Sequence, residues 1–198
     1  MCCSCNANSE KSHNDKILTH YTDDMLVYDV DNKNPVSKAA LSIVDGSIIY
    51  DGSYRRIDYP MGDVPDSIGV CTDVIIRTYR ELGVDLQELI FIDMTINPEY
   101  YSEKPDKNIS HRRVPNMQSF FSRKAEVKSK KNKQTFKPGD IVTWDFGPKT
   151  NHIGIVVDSI GPSGYYMVVH NIGSGQNMDD CLFNWPIKGH FYYSGRRL

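Results

Sequence analysis

The sequence predicts an α+β fold with the helices first and an antiparallel sheet after them. Three observations carry the prediction. "GVCTDVIIRTYRELG" places apolar residues at helical spacings in the first half. The last third instead holds short apolar runs separated by Pro-Gly and "GPSG" turns. There is neither an internal repeat nor a composition shift that would divide the chain.

Residues 1–16, "MCCSCNANSEKSHNDK", read as a disordered polar leader, followed by one domain over residues 17–198. The leader lacks the basic and apolar regions of a secretion signal as written. Cys2, Cys3 and Cys5 leave three readings open: a lipid-modified cysteine on a polar tether, a weak metal cluster or an incidental tail. Farther on, Ala39, Ala40, Ile43 and Val44 suit one helical face, and Ile48 to Tyr50 a short strand. Val70, Val74, Ile75, Thr78, Tyr79 and Leu82 recur every three or four residues, and Gly83 stops that helix. "VDLQELIFIDM" extends the helical part. Asn116 is expected to cap a short helix that buries Phe120 and Phe121. "SRKAEVKSKKNKQTF" reads as a solvated lysine-rich connector. "KPGDIVTWDF", "NHIGIVVDSI", "YYMVVHNIG" and "FNWPIKGHFYY" supply the strands.

With 198 residues, 39% hydrophobic and 24% charged, and a formal net charge of -2, the chain shows no bias toward nucleic acid. No apolar run approaches the roughly 20 residues that span a bilayer. Of five cysteines only Cys71 and Cys181 lie in the body of the chain, too few for a disulfide framework, although these two could pair.

Cys71 sits in the first turn of its helix. Unpaired N–H groups and the macrodipole favour a thiolate there, and a nearby imidazolium would favour it further. His152 opens a strand in "NHIG", beside a glycine that lets another chain approach. His170 or Asn171 could orient that imidazole, completing a Cys-His-polar arrangement. The same residue types also allow a small core cysteine and structural histidines, or zinc held by Cys71, His152 and His170, although no CxxC or HxxxH spacing supports a metal. Asp73 either bonds the helix start or points into a cleft. His111, Arg112 and Arg113 form either a carboxylate-binding edge or a structural latch. The backbone N–H of Cys71 is the expected oxyanion donor. No cofactor is expected.

"KPGDIVTWDF…NHIGIVVD…VVHN", with "GVCTDV" before it, resembles bacterial cell-wall cysteine peptidases of the NlpC type, within the papain-like superfamily. From "DYPMGDVP" to "GHFYY" the chain more closely resembles domain-of-unknown-function family 1287, over roughly residues 35 to 196. The resemblance implies a papain-like sheet with the nucleophile helix packed on it. It implies Cys71 as nucleophile, His152 as general base and acid, and His170 as the orienting residue. A peptidoglycan stem peptide would be the substrate. The expected location is then periplasmic, cell-envelope or secreted, with a cytoplasmic stay before export as the alternative. Two other uses of the fold stay open: a catalytically silent peptide-binding module, and an acyltransferase using the same thiol.

Overall fold

The computed structural model describes residues 33–147 and 150–195. The expected leader, residues 1–16, lies outside the described residues, as does the stretch from 17 to 32. Helix α1 (Pro35–Ser42) begins where Asn34 Oδ1 accepts hydrogen bonds from Val36 N (2.9 Å) and Ser37 N (3.2 Å). Ala39 and Ala40 are buried as expected, whereas Ile43 is the cap residue and Val44 lies beyond the helix. Strand β1 (Ile49–Tyr50) starts one residue later than the sequence suggests and pairs in parallel with β2 (Ile68–Gly69). That short ladder delivers the chain directly into α2 (Cys71–Glu81). Gly83, at φ 73°, turns the chain away just past its end.

Asp85 caps α3 (Leu86–Ile96), its Oδ1 accepting from Gln87 N at 2.9 Å and Glu88 N at 3.2 Å. Helix α4 (Val114–Lys124) buries Phe120 and Phe121 as expected, but Asn116 does not cap it. Arg113 holds the cap position, and the proline of the first turn, Pro115, presets the backbone without a side-chain cap. Asn116 lies inside the helix and donates from Nδ2 to Ser110 O at 3.0 Å.

The sheet comprises β3 (Glu126–Val127), β4 (Ile141–Asp145), β5 (Asn151–Ile160), β6 (Tyr166–Asn171), β7 (Gln176–Asp179) and β8 (Ile187–Tyr192). Their order is β3-β8-β4-β5-β6-β7, with every pair antiparallel. The fold is therefore α+β, with the helices against an antiparallel sheet. Strand β7 was hidden in the sequence because "QNMD" has no apolar alternation; its ladder to β6 supplies what side chains do not.

Alternation along the strands divides the interior into two cores. On the helix side Ile141, Ile153, Ile155, Val157, Val169 and Phe191 pack with residues such as Val74, Ile75, Ile90 and Phe121. On the other side Val142, Trp144, Val156 and Val168 are covered by Phe136, Cys181 and Leu182. The lysine-rich connector crosses that second side. Most of it is exposed, but Lys128 is drawn in to Asp140 (Nζ to Oδ1, 2.7 Å). Asp140 Oδ2 also accepts from Lys137 N (2.8 Å) and meets His190 Nε2 (2.7 Å), which fixes the Pro-Gly turn ahead of β4. Among the described residues no helix is long and apolar enough to cross a membrane.

Candidate active site

Cys71 is the first residue of α2 and is 5% exposed. Its sulfur meets the sheet at the backbone N–H of Ile153, the residue after His152. Burial dominates its ionisation and pushes the thiol up to about 11; the N–H groups of Ile153, Thr72 and Cys71 itself oppose this only in part, and the Asp73 carboxylate adds to the rise. The resting sulfur is thus a neutral thiol. The expectation of a thiolate held by the helix end gives way to desolvation. Tyr50, on β1, roofs the site: its phenol interacts with the Cys71 thiol while its side chain stays half exposed.

The start of β5 and the end of β6 bring the two histidines together. His152 Nε2 lies 2.7 Å from His170 Nδ1. Gly154 makes room for this, since a Cβ there would stand 2.7 Å from Val168 Cγ1 and 3.1 Å from His170 Cβ. The ring of His152 stacks near Phe146 (4.9 Å between centroids) and Trp144 (5.6 Å), and Trp185 edges both histidines. Burial, then the neighbouring His170, lowers His152 to about 3, so it rests as a neutral base. Burial likewise lowers His170, against the pull of Asp179. His170 Nε2 lies 2.8 Å from Asp179 Oδ2 and 3.6 Å from Cys181 Sγ. Cys71 and Cys181 are both free thiols, so the pairing the sequence left open is not formed.

The remaining candidates lie at the start of α2, in the turn before α4 and at the end of β6. Asp73 accepts from Val70 N through Oδ2 (2.6 Å) and is held by Arg112, with Nε 2.8 Å from Oδ1 and Nη2 2.9 Å from Oδ2. This buried bidentate pair ties the start of α2 to the turn before α4, and Thr72 Oγ1 adds a bond to Arg112 O at 3.0 Å. Arg112 therefore spends its donors inside the protein. Arg113 is half exposed and pairs with Glu103 at 3.2 Å. His111 is buried, with Nδ1 lacking a hydrogen-bond partner among the described residues. The three neighbours thus face different surroundings instead of forming one edge. Asn171 donates to Gly69 O (3.4 Å) and accepts from Gly173 N (3.0 Å), beside the approach to Cys71. Among the described residues no group of three or more His, Cys, Asp or Glu side chains is arranged to hold a metal ion.

Sequence reasoning missed Tyr50, Asp179 and the aromatic wall. Nothing local marks Tyr50 in a two-residue strand, and Asp179 acquires its place only through the unforeseen β7. The aromatic wall had one readable sign, since Trp144, Phe146 and Trp185 lie close to the expected strand ends.

An α+β protein with a buried thiol at a helix start on one face of an antiparallel sheet, and a bonded histidine pair on the other face, is the class that fold and geometry define. The chain belongs to the family of the domain of unknown function DUF1287, whose model matches residues 37–193. It is similar to the uncharacterized protein YijF of Escherichia coli strain K12, at 42% identity over 164 residues covering 80% of each chain.

Proposed function

We propose that this chain is a thiol-dependent amide hydrolase of the NlpC type, within the papain-like superfamily, acting on bacterial cell-wall peptide. The observation that carries the reading is the meeting of Cys71 Sγ with the His152–Ile153 peptide unit while His152 Nε2 is already engaged by His170. Strand alternation sets the His152 ring on the other face of β5, beside Trp144 and Phe146, so the reading requires that ring to swing toward the thiol with Nδ1, the nitrogen that His170 leaves open. The resemblance of "GVCTDV", "NHIGIVVD" and "VVHN" to the NlpC pattern adds support.

In the proposed cycle His152 accepts the Cys71 proton as the S–C bond forms at the amide carbonyl. The backbone N–H of Cys71 faces the developing negative charge, and the Tyr50 phenol stands close enough to assist. The protonated His152 then gives its proton to the amine nitrogen as the C–N bond breaks, leaving a thioester. A water deprotonated by His152 attacks that thioester, the S–C bond breaks, and the sulfur recovers its proton as the free acid leaves. A cell-wall substrate places the enzyme in the periplasm, in the envelope or outside the cell.

Purified peptidoglycan incubated with the parent and with Cys71→Ala, followed by mass spectrometry of the muropeptides, tests the reading. The parent is expected to release products whose lost mass identifies the bond, and the variant none. Equal release by both overturns the enzyme and leaves a binding module. Diversion of the product by added amines in place of free acid would mark an acyltransferase.

A further inference from the structure

His170 is gripped at both ring nitrogens. Nδ1 lies 2.7 Å from His152 Nε2, and Nε2 lies 2.8 Å from Asp179 Oδ2. A neutral imidazole has a single N–H, and a carboxylate only accepts. The His170 proton therefore sits on Nε2, directed at Asp179, and Nδ1 is a bare acceptor. That acceptor in turn requires the N–H of His152 to be on its own Nε2. Nδ1 of His152 is then the unprotonated nitrogen of that ring.

We propose that Asp179 is a positioning residue that, through His170, fixes the tautomer of His152 so that Nδ1 is the proton acceptor. The use of this device in catalysis rests on the hydrolase reading above; the tautomers themselves do not. Asp179 touches no reacting atom. Its side chain is 48% exposed while that of His170 is 1% exposed, so a surface carboxylate sets the state of a buried pair. Cys181 Sγ, at 3.6 Å from the same Nε2, is a weak acceptor and does not rival the carboxylate. Trp144, Phe146 and Trp185 crowd the rings, which limits the access of water that would average the tautomers. When His152 takes the thiol proton, its Nε2–H still finds an acceptor in His170, and the negative charge of Asp179 closes the line. No proton has to leave His170.

The test is histidine ring 15N–1H multiple-bond correlation on the 15N-labelled full chain at pH 7.5, read beside muropeptide kinetics. The parent should show His152 and His170 both as Nε2–H. In Asp179→Asn and Asp179→Ala, His170 should move wholly or partly to Nδ1–H, carrying His152 with it. Turnover in Asp179→Asn should fall by about 10²- to 10⁴-fold with KM little changed, as for other hydrolases given the wrong histidine tautomer. Asp179→Glu should restore the parent tautomers and most of the rate. A parent spectrum with His170 as Nδ1–H or doubly protonated overturns the proposal, whether or not the variants fold. So do unchanged tautomers in both the Asn and Ala variants. Tautomers as expected, with Cys71→Ala as active as the parent, would sink the hydrolase and leave the tautomer assignment standing.

Discussion

Cys71 gives a direct measurement at the scale of single residues. With burial pushing its thiol up to about 11, alkylation by iodoacetamide at pH 7 should be slow and should rise roughly tenfold per pH unit well past pH 8. Peptide mass spectrometry isolates Cys71 from the other cysteines, and full labelling below pH 7 would show a resting thiolate instead. Gly154 gives a second test. Gly154→Ala forces a Cβ against Val168 Cγ1 and His170 Cβ, so it should cost about 1–3 kcal/mol in urea unfolding and disturb the histidine pair. Unchanged stability would mean that β6 yields freely. The helix-start position of Cys71 and the strand positions of His152 and His170 were readable in the sequence because each stands in a short pattern with a helix start or a strand around it. Asp179 and Tyr50 were not, because what makes them neighbours of the site is pairing between strands of two and four residues.

Among elements, the start of α2 is held by an ion pair that no local pattern announces. Arg112 and Asp73 are 39 positions apart, and both side chains are almost fully enclosed. Arg112→Ala leaves the Asp73 carboxylate buried without its cation and should lower stability by about 3–5 kcal/mol. Arg112→Lys should recover only part of that, because an ammonium cannot reproduce the two-pronged contact. Denaturant midpoints decide; a loss under 1 kcal/mol would mean that water reaches Asp73. The helices were legible through their periodicity, and Gly83 marked an end correctly. The start of α4 was not, since Asn116 has the residue type of a cap while Pro115 lets the turn begin earlier.

Across the whole molecule, two buried histidines tie stability to pH. His111 is lowered to about 4, by burial and then by Arg112 and Arg80, against Asp85 and Asp63; His152 is lowered to about 3 by burial and His170. Both native values lie below the unfolded value of about 6.5. Below that pH the unfolded chain binds protons that the native chain refuses. Their contribution is therefore full above about pH 6.5 and is lost as pH falls toward 4 and 3. Each costs at most about 1.4 kcal/mol per pH unit in that window. Urea midpoints should fall between pH 7.5 and pH 5, and His111→Gln should flatten part of the slope; a level profile in the parent would count against neutral burial. The order of helices and sheet was legible at this scale. The two-sided core was not, because alternation tells which residues share a face but not what will cover it.

The sulfur of Cys71 meets main chain at Ile153, and that has a consequence for how the sequence can drift. An amide belongs to every non-proline residue, so exchanging one side chain for another of similar bulk at 153 cannot delete the contact. Sliding β5 along β4 can. A displacement of one residue would carry His152 to the helix side and an apolar side chain into the aromatic nest. The hairpin joining β4 to β5 should therefore tolerate substitution far better than any change of length that shifts this alignment.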